Sequence, residues 1–449
     1  MICDVICFVM SHDVIIERNT AMYIHEYDNW TNFVWDSNQV NLLLDKVSRE
    51  QGRLYGRLSV LGSDDQLQAM AENLTRDVVF SSEIEGVRLN IDEVRSSIAR
   101  RLGIEGYFSA SSRYIDAVVE VMFDAIKNYD KLLTKERLCG WQSVFFPMGL
   151  SNGISIEIGQ YRTHEEHIVS GYLGRERVHY IAPSPDRLEF EMNRFLDWFN
   201  SNQSLSPIIR SAIAHFWFVS IHPFEDGNGR LARILGDIFL ARADNSSFRF
   251  YNITSEINRD KKHYYEVLER VQRGSGDITE WLVWYLTTLY AAILEAEVSV
   301  KRILNKSIFW MNYSAQSLNQ RQISTLNLFL DGYEGKITSK MWASLNKCSK
   351  DTAIRDIQDL VNKNILLVDI LGAKRPSYSI NYNSKEVDIT KLFTEVHVER
   401  GEEESFLTAK YRETIVLRER ILQLDAERYL KGDLPLNHLL SKYCSYLIH

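Results

Sequence analysis

The run His222-Pro223-Phe224-Glu225-Asp226-Gly227-Asn228-Gly229-Arg230 collects residue types suited to handling phosphate. Gly227 and Gly229 remove side chains where main chain must curl round a bulky anion. A helix expected to begin near Asn228 would add unpaired N–H groups and a favourable dipole. Arg230 and Arg233, three apart on that first turn, can project to one side and clamp terminal phosphate oxygens. Asp226 would repel an oligophosphate unless a hard cation lay between them, which assigns it to Mg²⁺. His222, titrating near neutrality at the rim of the loop, is the candidate general base for an attacking hydroxyl. An isolated HPF or GNG reads better as a helix end and a simple turn; the nine residues together do not.

A second segment, Ser81-Ser82-Glu83-Ile84-Glu85-Gly86, ends a helix predicted over 65–85, with Gly86 as its stop. Glu85 then lies at the negative pole, where a carboxylate is disfavoured unless a cation compensates it. Ser81 and Glu85, four apart, present a hydroxyl and a carboxylate on one face. The alternative is a capping box in which Ser82 and Glu85 open a following helix.

The elements that must position these residues are mostly helical. With 7 Pro and 22 Gly in 449 residues, breakers are few, and apolar residues recur at helical spacing. Helices are predicted at 39–62, 65–85, 91–102, 112–129, 133–147, 184–201, 207–221, 228–243, 260–273 and 277–305. The stretch 160–185 mixes β-branched and aromatic residues with Gly171 and Gly174, as a β-hairpin flap does. Its histidines, His164, His167 and His179, on an arm expected to be mobile and without a cysteine or an ordered carboxylate partner, are expected at the surface rather than on a metal. Three short helices at 319–330, 336–345 and 349–362, followed by strands at 365–370 and 377–380, make a winged helix-turn-helix pattern. The domain reading is therefore an N-terminal extension (1–21), a helical domain (22–105), a core (106–310), a winged-helix domain (315–382) and an acidic, partly helical extension (383–449).

Composition bounds the function. Hydrophobic residues at 45% and charged residues at 25% describe an ordinary globular protein, and the net charge of −8 argues against a general nucleic-acid or anionic-membrane footprint. The uncharged apolar stretches 211–224 and 281–294 fall short of the roughly 18 residues a membrane span needs. The opening MICDVICFVM has no basic residue ahead of its apolar run and is not read as a signal peptide. Five scattered cysteines, Cys3, Cys7, Cys139, Cys348 and Cys444, suggest a reducing, cytoplasmic setting. The helix at 349–362 sets Lys350 and Arg355 against Asp351, Asp356 and Asp359, too little positive charge to track DNA, so a protein-contact or self-association role is favoured.

The run HPFEDGNGR, followed by Leu231-Ala232-Arg233, resembles the signature of the Fic family, HPFx(D/E)GN(G/K)R, with every specified position filled. The resemblance implies a mainly α protein: a Fic-type helical bundle with a β-hairpin flap, plus the C-terminal winged helix-turn-helix domain. It implies transfer of AMP from ATP to a Tyr, Thr or Ser hydroxyl of a protein target, with release of pyrophosphate and with Mg²⁺ as cofactor. By position, His222 would be the base, Phe224 a buried anchor, Asp226 the Mg²⁺ ligand, Gly227, Asn228 and Gly229 the anion nest, and Arg230 and Arg233 phosphate ligands. A branch carrying Ala-Asn-Lys in the nest transfers a phosphoryl group, and this chain departs from it; phosphocholine transfer also occurs in the family.

Ser81, Glu85 and Gly86 fit the family's inhibitory pattern (S/T)xxxE(G/N), which implies that Glu85 pairs with Arg233 in place of a γ-phosphate and admits removal of AMP as a second activity. The flap resembles the family's target-positioning hairpin. The resemblance places its residues Val178, His179 and Tyr180, with Tyr264, Tyr265 and Gln272 downstream, around the nucleotide. A Tyr pair on an amphipathic helix reads equally well as core, and the family usually has Asn where Gln272 stands. The expected partners are ATP, a protein target, and further copies of this chain through self-modification and homodimerisation; DNA and membrane are not expected. The competing class is a nucleotide-sensing regulator that acts through the winged helix on DNA or a protein partner.

Overall fold

Short polar residues and prolines set most helix ends. In the computed structural model, residues 22–382 are described apart from 60, 105–109, 152, 172–175, 203, 248, 314–315, 334 and 371–375. The expectations for 1–21 and 383–449 lie outside the described residues. After a short 3-10 turn (Ile24–Glu26) come α1 (Ser37–Leu58), α2 (Ser63–Ile84) and α3 (Ile91–Leu102). The Asn90 side chain accepts from the N–H groups of Asp92 and Glu93 to open α3, and Gly103, left-handed at φ 71°, closes it. Ser112 and Thr134 cap α4 (Arg113–Lys127) and α5 (Lys135–Phe145).

Next come the two-residue strands β1 (Leu150–Ser151) and β2 (Ile154–Ser155), then the hairpin β3 (His167–Ser170) and β4 (Arg177–Ile181), which is antiparallel with a register shift between Ile168 and Val169. Prolines at the first position open α6 (Pro185–Asn200) and α7 (Pro207–Ile221), where the missing N–H costs nothing. The series continues with α8 (Asn228–Asp244), α9 (Ile253–Arg259), α10 (Lys261–Gln272) and α11 (Thr279–Tyr313). The fold is mainly α, as the helical spacing predicts. The seven-residue α9 and the strands β1 and β2 are too short to leave a periodic signal, and α11 runs past residue 305 to Tyr313.

The chain divides into two compact units, one comprising residues up to Arg53 with Leu67–Ala296, the other Leu54–Gln66 with Glu297 onward. The division falls inside α1, α2 and α11. In the first unit α7 is buried along its length from Ile208 to Ile221 and pairs with α8, which is buried from Arg230 to Ala241. Phe195 and Phe199 pack on Trp217 of α7 and Phe239 of α8, and Trp281 packs on Phe216 of α7, with Phe199 and Phe239 ring centroids 4.6 Å apart. The second unit holds α12 (Gln320–Leu330), α13 (Ser339–Leu345), α14 (Lys350–Asn362) and the antiparallel strands β5 (Leu366–Val368) and β6 (Tyr378–Ile380). Trp342, Leu326, Ile357, Leu360 and Ile365 form its core. Asp356 of α14 is bound by Arg321 through Nε at 2.8 Å and Nη2 at 3.0 Å.

A buried charge cluster fastens α2 to α8. Arg249, following α8, reaches Asp77 of α2 at 2.9 Å and also pairs with Asp237 of α8. All three side chains are buried. Replacing the arginine would strand two carboxylates in a low dielectric. Arg249→Met should therefore lower stability by about 3–5 kcal/mol in chemical denaturation at pH 7, and by less at pH 4, where the Asp237 carboxyl, held above the usual range by burial, takes up a proton.

Candidate active site

The 222–230 loop joins α7 to α8 and is held from within and from outside. His222 takes up the left-handed conformation, φ 51° and ψ 59°, and so turns the chain out of α7. The Asn228 side chain closes the loop on itself, accepting from Phe224 N–H at 3.0 Å and donating to Phe224 C=O at 2.6 Å. Asn228 is thus a staple of the loop backbone, and only its main chain remains for the anion nest predicted from sequence. Phe224 is fully buried, as expected of an anchor, and packs edge-on against Tyr161 at 5.6 Å. Gly227 sits at φ +91°, and a Cβ there would lie 3.1 Å from the Phe146 ring, so glycine is required twice over.

Arg162 is the outside fastening. Its Nε donates to His222 C=O at 2.9 Å, Nη1 to His164 C=O at 2.6 Å and Nη2 to Pro183 C=O at 2.5 Å, while its N–H donates to Pro223 C=O at 2.9 Å. It therefore binds the loop to both ends of the β3–β4 flap. Spacing in the sequence marks Tyr161-Arg162 only as a lead-in to the flap and gives no sign of this role.

The His222 ring is 6% exposed, with Nδ1 3.1 Å from Val219 C=O and Nε2 buried without a partner. A carbonyl only accepts, so Nδ1 carries the hydrogen and Nε2 the lone pair. Burial, with the Arg162 charge adding to it, pushes the imidazole down to about 4, against the Val219 hydrogen bond and the Glu85 charge. The ring is neutral at pH 7. Asp226 accepts from Gly227 N–H at 2.5 Å and from the Ser151 hydroxyl. Burial still holds its carboxyl above the usual range despite those bonds and the Arg230 charge. An under-compensated buried carboxylate beside the loop suits a Mg²⁺ ligand.

The two arginines are buried on the first turns of α8. Arg230 stacks on Phe145 and Phe146, 4.4 and 4.8 Å from their centroids, and its Nε has no partner. Arg233 donates Nε to the Ser81 hydroxyl at 3.0 Å and Nη2 both to Ser81 C=O at 2.9 Å and to Glu85 Oε1 at 2.7 Å. The Glu85 carboxylate also lies over the start of α8: a Cβ on Gly229 would come within 3.1 Å of its Cδ and closer still to Oε1. Burial pushes this carboxyl up, but Arg233, by charge and hydrogen bond, with Arg230 and Lys261, brings it below the ordinary range.

The end of α2 explains how Glu85 is presented. Gly86 at φ +79° turns the chain, with Gly86 N–H bonding Glu83 C=O at 3.0 Å and Val87 N–H bonding Ser82 C=O at 2.9 Å. Lys261 donates to the last helical carbonyl, Ile84, and so adds the cation that this pole calls for. The capping-box alternative for Ser82 and Glu85 does not occur; Asn90 opens the next helix.

The side chains expected around the nucleotide are mostly enclosed by the fold. Tyr264 is buried among His215, Trp281 and Trp284, with its hydroxyl 3.0 Å from His215 Nε2, and is a core residue. Tyr180 is likewise buried, donating to Ser220 C=O at 2.8 Å, because an aromatic strand residue with a deep acceptor packs inward. Gln272 is buried and donates to the Ser220 hydroxyl at 3.1 Å, two residues before His222. Tyr265 is half-buried, with the Lys261 ammonium 5.8 Å from its centroid. Val178 and His179 are half-buried, and their carbonyls accept from Arg273 at 3.1 and 3.0 Å. All three histidines expected to lack carboxylate partners have them: His167 meets Glu165 at 3.7 Å, two residues away, while His179 meets Glu269 at 2.6 Å and His164 meets Glu225. The last two pairings join distant segments and are invisible to spacing.

Residues 132–240 match the family described as Fic/DOC family, and residues 23–104 match a domain of unknown function, DUF4172. The chain is 25% identical over 252 residues to the "Protein adenylyltransferase Fic" of Nematostella vectensis, covering 54% of this chain and 52% of that protein. It is 28% identical over 222 residues to the protein of the same name from Aedes aegypti, covering 46% and 39%. The match thus spans about half or less of the length of these curated relatives. Among solved structures, it is similar to a Fic family protein from Desulfovibrio desulfuricans G20, 20% identical, covering 77% of this chain and 97% of that chain at a TM-score of 0.46. Among the described residues no helix is long and apolar enough to cross a membrane.

The staple can be tested directly. Asn228→Ala leaves the buried Phe224 N–H and C=O without partners and should cost about 1–3 kcal/mol in chemical denaturation. Asn228→Asp, which sets a buried carboxylate oxygen against the Phe224 carbonyl, should cost at least as much as Asn228→Ala at pH 7.

Proposed function

This chain belongs to the Fic/DOC family through residues 132–240, and from that premise we propose that it is a Mg²⁺-dependent protein adenylyltransferase restrained by its own Glu85. The observation that carries the reading is the Glu85 carboxylate on Arg233, over the first turn of α8.

ATP would lay its phosphates against the N-terminus of α8, with Arg233 on the γ-phosphate and Arg230 alongside. Asp226 would hold Mg²⁺, which when bound offsets charge on the phosphate oxygens. The flap would align a protein segment by strand addition, bringing a Tyr, Thr or Ser hydroxyl to the α-phosphorus. Neutral His222 takes the hydroxyl proton at Nε2 while the oxygen bonds to phosphorus; the bond from the α-phosphorus to the bridging oxygen breaks, and pyrophosphate leaves. The partnerless Nε2 supports this assignment.

Glu85 opposes the reaction by competition. Its carboxylate takes the guanidinium meant for the γ-phosphate, so ATP binds with its α-phosphorus misaligned. Removal of AMP from the target, with Glu85 positioning water, belongs to the same reading as a second activity.

The test is transfer of label from ATP tagged on its α-phosphate. Glu85→Gly should label itself or added protein at least about tenfold more than the parent, the equivalent of about 1.4 kcal/mol of relieved competition. Glu85→Gly/His222→Ala should not label. Equal labelling by parent and Glu85→Gly would overturn the brake, and nucleotide binding without transfer would favour a sensing role instead.

A further inference from the structure

A second cluster of ligand-type side chains lies beside the loop and has no part in the chemistry above. Glu157, His164 and Glu225 bring one ligand atom each within 4.8 Å of one another. Glu225 comes from the 222–230 loop, and the other two come from the stem leading into the flap. In a tetrahedral site with bonds of ~2.1 Å, ligand atoms stand about 3.4 Å apart, so small side-chain rotations would close this set on an ion.

The oxygens around the cluster point the same way. Glu225 has its side chain 2% exposed, with His164 on Oε1 and Glu157 N–H on Oε2 at 2.8 Å. Glu157 uses Oε1 to accept from Thr163 at 2.9 Å, while its Oε2 is buried without a donor. An enclosed carboxylate oxygen without a donor, as Glu157 Oε2 is, calls for a cation.

We infer that Glu157, His164 and Glu225 form a binding site for a divalent transition metal of the zinc type, distinct from the Mg²⁺ position at Asp226. One imidazole with two carboxylates suits zinc, and the fourth position is left to water; magnesium prefers oxygen ligands alone. The ion would clip the flap stem to the loop one residue before Asp226. It acts as a fastening rather than as a reactant, and the inference does not depend on adenylyl transfer.

The experiment is calorimetric titration of Zn²⁺ into the full chain after chelator treatment, without nucleotide. The parent should take up one equivalent that His164→Gln and Glu157→Gln each weaken at least about tenfold, and that Asp226→Ala retains. His164 has a side chain 43% exposed, so its replacement leaves packing intact, and circular dichroism checks each variant's fold. No uptake by the parent, equal uptake by His164→Gln, or loss of the site in folded Asp226→Ala would overturn the assignment.

Discussion

A helix that begins with glycines and carries two buried arginines on its first turns concentrates positive charge where water cannot dilute it. Arg230 and Arg233 are each 3% exposed, and the open N–H groups of α8 add to their field. Such a place must be met by an anion. Glu85 meets it with a single carboxylate, delivered from the end of α2 where its own charge is disfavoured, and Arg233 Nη1 is still left without a partner. The pair therefore leaves part of the positive charge uncompensated, and on the proposed reading a ligand that carries more charge displaces it. With 23% of its side chain exposed, Glu85 is also within reach of solvent, unlike the guanidinium it holds.

That arrangement depends on how α2 lies on α8. Asn73, Asp77, Ser81 and Glu85 recur every four residues and so form one stripe on α2. Asn73 donates to the carbonyls of Arg249 and Tyr251, Asp77 pairs with Arg249, and Ser81 and Glu85 both engage Arg233. On α8, Arg233 and Asp237 stand four apart and answer the stripe, the second through Arg249. A docking face built of buried polar groups tolerates no slippage, because a shift of one turn would leave each of them unpaired. The register that presents Glu85 is thus enforced along the helix, well away from Glu85 itself.

The same stripe shows where sequence reading stops. Polar residues every four positions read as a solvent-facing side, and nothing local says that Asn73, Asp77 and Ser81 are buried. The limits of α7 were legible because Pro207 opens an unbroken apolar run, and those of α3 because Asn90 and Gly103 bracket it. The loop residues and the Glu85–Arg233 pair were legible because glycines, arginines and a histidine at fixed spacing, together with the family pattern, have few other uses. The partners of Tyr180, Tyr264 and Gln272 were not legible because these partners, Ser220 and His215, lie on α7, 40 to 52 residues away in sequence. A hydroxyl or amide with a deep partner packs inward, and its type alone cannot reveal that.

The conformation of His222 links these layers. A left-handed, non-glycine residue is strained by about 1–2 kcal/mol and persists only where its surroundings hold it. Here Arg162 grips the His222 carbonyl, Val219 orients the ring, and the Asn228 staple fixes the turn that follows. Because Arg162 also grips His164 and Pro183 at the two ends of the flap, backbone strain at the proposed base and flap position share one buried guanidinium. Movement of the flap stem cannot then be independent of where Nε2 points. In the proposed reaction, a base oriented through the flap would accept its proton only with the flap in place.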